Sequence, residues 1–233
     1  MILPPADWAA LQLSLRLAML TSITLLCLCT PLSLWLAHSR SYFAPLIHAV
    51  VALPLVLPPT VLGFYLLMVL GPRGVVGTLC AAVGFEPPAF SFSGLFLASL
   101  VVSTPFVVQP LHTAFSGLGR RPWEVAASLR ASPLETFFTA ILPMTRRAYL
   151  AAFVLAFAHT VGEFGVVLMI GGNIPGVTQT VSTAIFTHVE AIDYPAAHRL
   201  SLILIVLGFA LVALVQYAER RGQQQTRSAR DDS

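Results

Sequence analysis

Six windows of this sequence run for many residues without a single Asp, Glu, Lys or Arg. They cover residues 17–37, 44–70, 92–119, 148–161, 164–172 and 200–218. Only 10% of all residues are charged, whereas soluble domains carry about a quarter. Crossing the hydrocarbon core of a bilayer takes about 20 apolar residues, and Glu163 alone separates the fourth and fifth windows. The sequence therefore predicts an all-α membrane protein with about five transmembrane helices.

Arginine supplies all of the positive charge outside the histidines, since the chain contains no lysine. Arg40 lies in the first connection, and the third connection and the C-terminal tail carry five and four arginines. The second connection has only Arg73 and the fourth only the boundary residue Arg199. Basic residues mark cytoplasmic segments of membrane proteins. With five spans, this pattern predicts an external N-terminus and a cytoplasmic C-terminus.

Two regions follow from composition: a transmembrane domain over residues 1–218 and a polar cytoplasmic tail, 219–233, predicted to be disordered. Prolines fall inside two of the apolar windows. Pro54, Pro58 and Pro59 predict a kinked or broken second span, because each removes a backbone donor. Pro105 and Pro110 are expected to interrupt the third span in the same way.

The connection 117–147 is long and arginine-rich, but it keeps a helical pattern. Pro122 and Glu124 suit the first turn of one helix. Residues 132–135, Ser-Pro-Leu-Glu, predict a capping box at the start of a second. We expect two short amphipathic helices, joined near Arg130, whose apolar faces need a lipid or protein partner. These faces are predicted to carry Val125, Ala126 and Leu129 on the first helix and Leu134, Phe137, Phe138 and Ile141 on the second.

Four residues of this connection match a known motif at the right spacing: Glu124, Ala126, Leu142 and Pro143. The connection resembles the cytoplasmic EAA loop, a motif that marks the permeases of ATP-binding-cassette (ABC) importers. Three positions depart from that pattern, and the most consequential is Arg130 in place of glycine. A left-handed bend costs a non-glycine residue about 1 kcal/mol. We therefore expect either a less sharp bend or its transfer to the two following residues.

Two further segments resemble the molybdate branch of that family and its sulfate relatives. One is residues 52–65, Ala-Leu-Pro-Leu-Val-Leu-Pro-Pro-Thr-Val-Leu-Gly-Phe-Tyr. The other joins Gly-Glu-Phe-Gly at 162–165 to Gly-Gly-Asn-Ile-Pro-Gly-Val-Thr-Gln-Thr at 171–180. The resemblance extends from about residue 11 to residue 217 and implies a type I ABC importer permease fold, in the inner membrane of a bacterium.

The resemblance also implies partners: a second copy of this chain, two ATPase subunits and an external oxyanion-binding protein. ATP and magnesium would belong to the ATPase, because a P-loop needs a lysine and this chain has none. We expect no cofactor, metal or catalytic residue on this chain, contact with membrane lipid, and no nucleic-acid partner. The residues expected to couple to the ATPase are Glu124, Ala126, Ala127, Leu129, Arg130, Phe137, Leu142 and Pro143.

Four polar residues are candidates for the transport pathway: Ser103, Thr104, Glu163 and Asn173. Hydroxyls and backbone amides suit a dianion that must leave again, because fixed countercharges would hold it too tightly. A carboxylate would repel the substrate, so a structural or gating hydrogen bond is favoured for Glu163. The histidines His48, His112 and His159 are interpreted as hydrogen-bonded packing residues.

Three other functions remain open at this point. A sulfate or thiosulfate permease is the alternative within the family, since all these substrates are tetrahedral dianions. A polytopic membrane enzyme would need a nucleophile and a base or metal ligands at one depth, which the sequence does not suggest. A carrier driven by an ion gradient would predict an internal repeat and no docking hairpin.

Overall fold

The computed structural model describes the backbone of residues 3–231 and the side chains of residues 3–217. The described chain is built from helices and turns, without strands. The helices are α1 Pro5–His38, α2 Ala44–Val56, α3 Pro59–Leu70, α4 Val75–Ala82, α5 Phe92–Leu118, α6 Arg121–Ser128, α7 Pro133–Thr136, α8 Leu142–Gly162, α9 Gly165–Gly171, α10 Val181–Glu190 and α11 Tyr194–Asp231. A single π-helical turn, Phe137–Ile141, joins α7 to α8.

Within the described residues, five segments are long and apolar enough to cross a membrane, which is the number that the charge-free windows predict. They are Pro5–His38, Pro59–Ala82, Phe92–Leu118, Pro133–Gly162 and Tyr194–Tyr217. The prediction of an all-α membrane fold is therefore confirmed. The predicted bounds of the second span are wrong: it covers Pro59–Ala82 and not 44–70, because the chain leaves the helical conformation at residues 57 and 58.

The predicted break in the second window is confirmed and lies at residues 57 and 58. Leu57 is extended (ψ 139°) because the ring of the following proline disfavours helical backbone. Pro58 is also extended (ψ 136°), and α3 then begins at Pro59, where a missing backbone donor has no cost. The 13 residues of α2 span only about 20 Å, too short to cross a bilayer.

Pro105 and Pro110, in contrast, do not interrupt the third span, and that part of the prediction is wrong. Both lie inside α5, which is continuous from Phe92 to Leu118. This helix is the most buried of the five spans, with 56% of its window inside the protein. A membrane helix tolerates a proline when neighbouring helices pack around it. Neighbouring helices surround α5, so it stays continuous.

The core lies where α1, α5 and α8 pack together. Leu25, Val107, Leu111, Phe115 and Ala156 are all nearly inaccessible there. A second apolar cluster joins α10 and α11 to α1 and α8, and a third joins α3 and α9 to α5.

The last helix runs beyond the membrane-spanning segment. Its backbone continues to Asp231, through most of the tail that composition predicts to be disordered, and residues 232 and 233 lie outside the described part. Glutamine, glutamate, arginine and alanine dominate this segment, and all four are good helix formers.

Candidate coupling surface and interrupted helices

The connection between α5 and α8 forms a helical hairpin bent at Arg130, which confirms the predicted helix pair. Arg130 has φ +60°, the left-handed conformation. The Ala131 amide donates to the Ala126 carbonyl and the Arg130 amide to the Ala127 carbonyl, both at 3.0 Å. These two bonds form a Schellman motif, which ends α6 and satisfies carbonyls that a helix end leaves free.

The bend therefore lies at the position where the family pattern has glycine. The expectation that Ala131 or Ser132 absorbs it is wrong: Ser132 is ordinary extended backbone, with φ −69°, and Ala131 does not have positive φ. The chain keeps the turn and accepts an unfavourable backbone conformation at an arginine.

Replacing Arg130 by glycine is accordingly expected to stabilise the hairpin by about 1 kcal/mol. The melting temperature of the purified chain should rise by about 2–4 °C. Arg146→Gly is the matched control, because Arg146 is exposed inside α8 and glycine there should lower the melting temperature. Shifts of equal sign in both variants would contradict the assignment of strain to Arg130.

The start of the second helix is the predicted capping box. Ser132 Oγ accepts a hydrogen bond from the Glu135 amide at 3.2 Å, and a Glu135 carboxylate oxygen accepts one from the Ser132 amide at 3.4 Å. The two reciprocal bonds fix the direction in which the chain leaves the bend.

The hairpin presents apolar side chains that nothing in the described chain covers. Leu129 is 77% exposed and Leu134 is 71% exposed. Glu124, Ala127 and Arg130 are exposed beside them. Exposed apolar clusters rimmed by polar residues are typical of surfaces that dock to another molecule.

Not all the predicted coupling residues face outward. Ala126 and Leu142 are half-buried and Pro143 is exposed. Phe137 is partly buried against the protein's own core, and Ile141 is fully inside it. The predicted apolar face of the second helix is thus divided, and the two inward residues, Phe137 and Ile141, are the first and last residues of the π-helical turn. Phe138, 58% exposed, occupies the outward position instead.

A groove of about 910 Å³ separates the two arms of the hairpin. Its walls include Val125, Leu129, Ala140 and Met144, and Arg130 and Glu135 supply charges of opposite sign. On the other side of α6, the ring of Trp123 meets the ring of His38 edge-on at 6.4 Å. An Arg120 guanidinium nitrogen also donates to the His38 carbonyl at 3.3 Å. The hairpin is therefore connected directly to the end of the first span.

A second helix interruption lies between α8 and α9, at Glu163 and Phe164. Glu163 is 8% exposed, and its Oε1 accepts a hydrogen bond from the Val166 amide at 2.9 Å. The Ser182 hydroxyl donates to the Glu163 carbonyl at 2.7 Å. Glu163 thus takes part in hydrogen bonds with backbone groups at the interruption, where helical partners are missing.

Two variants separate this hydrogen bond from the charge of Glu163. Glu163→Ala leaves a buried amide without a partner, and we expect a loss of about 2 kcal/mol of stability. Glu163→Gln keeps an acceptor oxygen, so the melting temperature should stay close to that of the wild type. Thermal unfolding of both purified variants measures the difference, and an equal loss in the two would show that the charge itself is required.

The two interruptions contact each other through glycines. A Cβ placed on Gly165 would lie 2.8 Å from the Pro59 Cβ. A Cβ placed on Gly63 would lie 2.9 Å from the Met169 Cβ. Because α3 and α9 pack this closely, each covers the other near its broken end.

The other pathway candidates have partners inside the protein. Ser103 is fully buried and its hydroxyl lies 3.0 Å from the Thr160 hydroxyl, and the Thr104 hydroxyl donates to the Leu100 carbonyl at 2.6 Å. Asn173 Nδ2 donates to the Thr187 hydroxyl at 2.9 Å. The structure connects Ser103, through Thr160, with the end of α8, and Asn173 lies on the turn after α9.

His159 contacts both a neighbouring helix and Glu163. Its ring stacks on Phe106 at 4.1 Å between centroids. The His159 Nε2 is buried without a hydrogen bond in the described chain and lies 3.8 Å from a Glu163 carboxylate oxygen. The interpretation of His159 as a hydrogen-bonded residue is therefore wrong for this atom. Its spacing of four residues from Glu163, one helical turn, was the available signal.

Comparison with known proteins agrees with this architecture. The model of a family described as "Binding-protein-dependent transport system inner membrane component" matches residues 29–223. The molybdenum transport system permease protein ModB of Azotobacter vinelandii is 54% identical over 92% of this chain and 95% of its own length. The Escherichia coli K12 protein of the same name is 33% identical over 97% of this chain and 99% of its own length.

Solved structures support the fold. A bacterial ABC transporter that imports the acidic polysaccharide alginate contains a chain with a TM-score of 0.74 and 16% identity. The match covers 94% of this chain and 80% of that one. Together with the family match, it confirms the predicted permease fold. The chain belongs to the family of inner-membrane components of binding-protein-dependent transport systems.

Proposed function

We propose that this chain is the permease of an importer that moves molybdate, or its analogue tungstate, across a bacterial inner membrane. The observation that carries the proposal is the 54% identity, over 92% of the chain, to a molybdenum transport permease. The match covers 215 residues of this chain, which is long enough to include both interrupted helices and the hairpin at Arg130.

We assign ATP hydrolysis to a separate ATPase subunit, which would bind ATP and magnesium. The hairpin supports this division, since Leu129 and Leu134 are exposed beside Glu124 and the chain has no lysine for a P-loop. Closure of the ATPase would pull on α6 and, through Trp123 and Arg120, on the end of α1.

The proposed assembly holds two copies of this chain, two ATPase subunits and an external binding protein. The apolar side chains of α2 and α3 support pairing or lipid contact, because within these helices only Gly63 and Leu70 are buried in one copy. The arginine distribution supports an N-terminus outside and the hairpin and C-terminus in the cytoplasm.

Uptake by reconstituted vesicles tests the proposal. Proteoliposomes would contain this chain with the ATPase, ATP inside, and the cognate binding protein with radiolabelled molybdate outside. We expect uptake that requires ATP and is competed by tungstate but not by sulfate.

Two other results would overturn the assignment. Uptake of sulfate in place of molybdate would move the chain to the sulfate branch; a Zygnema circumcarinatum protein described as "Probable sulfate transport system permease protein" is 30% identical over 78% of this chain and 62% of its own length. Uptake without ATP would exclude coupling to an ATPase altogether.

A further inference from the structure

An open pocket with several polar side chains lies where the end of α1, the start of α2 and the end of α5 meet, and we call it the corner pocket. Its volume is about 400 Å³. Its lining consists of Leu36, Ser39, Arg40, Ser41, Ala44, Pro45, His48 and His112. The lining includes no carboxylate, and none of these residues belongs to the coupling surface or to the pathway candidates.

Every polar side chain of the corner pocket can donate a hydrogen bond. The Arg40 side chain is exposed and makes no hydrogen bond or ion pair within the described part of the chain. Ser39 Oγ accepts from the Ser41 amide at 3.1 Å, and Ser41 Oγ accepts from the Phe43 amide at 3.3 Å. These two bonds hold the oxygens in place and leave both hydroxyl hydrogens to donate.

The two histidines add further donors on the opposite wall. The rings of His48 on α2 and His112 on α5 lie 5.1 Å apart, centroid to centroid. These two histidines are far apart in sequence, and the packing of α2 on α5 brings them together. A guanidinium, two hydroxyls and two imidazoles around one cavity suit a tetrahedral anion with several acceptor oxygens.

The surroundings indicate where such an anion comes from. Tyr42, 93% exposed, and Phe43, 65% exposed, lie on the same short connection as Arg40. Leu46, 61% exposed, follows in the first turn of α2. Aromatic side chains next to basic ones are typical of the headgroup level of a membrane. This pattern indicates that the corner pocket belongs to the level of the lipid phosphates.

We propose that the corner pocket binds the phosphate of an anionic phospholipid. The phosphate contacts Arg40, Ser39 and Ser41, and the acyl chains lie along the exposed apolar side of α2. The residue before Ser39 is His38, whose carbonyl accepts from Arg120 and whose ring contacts Trp123. A bound lipid thus orders the chain next to the coupling surface, and this binding does not depend on the proposed cargo.

Native mass spectrometry of the purified full-length chain, or of its complex, tests the proposal. The protein is released from nanodiscs that contain equal amounts of phosphatidylglycerol and phosphatidylcholine. We expect retention of phosphatidylglycerol in preference to phosphatidylcholine. Arg40→Gln should weaken this retention about fivefold, which corresponds to about 1 kcal/mol.

Arg147→Gln is the matched control, because it removes the same charge from an exposed position of the hairpin side of α8, outside the corner pocket. Retention in this control should stay within about twofold of the wild type. If both variants lost phosphatidylglycerol retention equally, the retention would depend only on the net charge of the chain, and the proposal would be overturned.

A second arm uses inorganic phosphate and molybdate in detergent without lipid. The lipid proposal would be overturned if the chain bound either free anion, lost that binding in Arg40→Gln, and showed no preference for phosphatidylglycerol. The pocket would then bind a free anion and not a lipid phosphate. Failure of molybdate uptake in the vesicle experiment would leave the lipid result unchanged, so the two proposals fail separately.

Discussion

Replacing Glu124 by arginine is expected to lower ATP-driven uptake by at least about tenfold, while the chain still inserts and folds. Glu124 is exposed on α6, beside a groove that includes Ala127 and Trp123. No hydrogen bond or ion pair ties its carboxylate to the described part of the chain, so the charge reversal has little to disturb within this subunit. Reversing a charge at an interface commonly costs 2 kcal/mol or more, or about thirtyfold in affinity.

The measurement is co-purification of the ATPase with the variant, followed by ATPase and uptake assays in proteoliposomes. Glu190→Arg is the matched control, because Glu190 is an exposed glutamate at the end of α10, far along the chain from the hairpin. This control should keep the ATPase bound. A Glu124→Arg complex with normal ATPase content and full uptake would contradict the proposed docking surface.

Gly63→Leu is expected to have the largest effect on stability. A Cβ at this position would lie 2.9 Å from the Met169 Cβ and 3.3 Å from the Val166 Cα. Neither helix can withdraw without exposing backbone at the interruptions, so a leucine must be accommodated by strain. We expect a loss of about 2–3 kcal/mol and a melting temperature lower by about 5–10 °C.

Thermal unfolding of the purified chain measures this loss. Gly208→Leu provides the comparison, because Gly208 also lies within a helix and a Cβ there would meet nothing within 4 Å. The control should unfold at or above the wild-type temperature, since leucine is a better helix former than glycine. If both variants unfold at the same temperature, α3 and α9 are not packed as described.

The features that sequence predicts well are those decided locally. The spans follow from windows without charge, because lipid selects apolar residues whatever the neighbouring helices are. The capping box at Ser132 and Glu135 follows from four adjacent residues. The break before Pro59 follows from two consecutive prolines, which remove adjacent donors.

The features that sequence predicts poorly depend on tertiary packing. Pro105 and Pro110 are isolated prolines, each of which removes one donor, and α5 stays continuous where neighbouring helices surround it. The periodicity shows neither the π-helical turn nor the packing of Phe137 against the core.

One further result depends on a contact between distant segments. The pairing of His48 with His112 requires α2 to lie on α5, and no single window of sequence contains this information. The left-handed bend at Arg130 is different, because local hydrogen bonds from the Arg130 and Ala131 amides hold it at the end of α6. Arginine does not signal such a bend, since glycine is the residue that favours it.

The close packing of α3 on α9 sets an order for biosynthesis. Helix α9 has 7 residues and is about 10 Å long, so it cannot cross a bilayer by itself. It is made about 100 residues after the start of α3, or about 5–20 s later at ordinary rates of translation. During that time the broken end of α3 has no α9 to cover its backbone, which lipid cannot satisfy. The nascent chain must therefore keep the Pro58 interruption next to water, the insertion machinery or another helix until α9 has followed the fourth span.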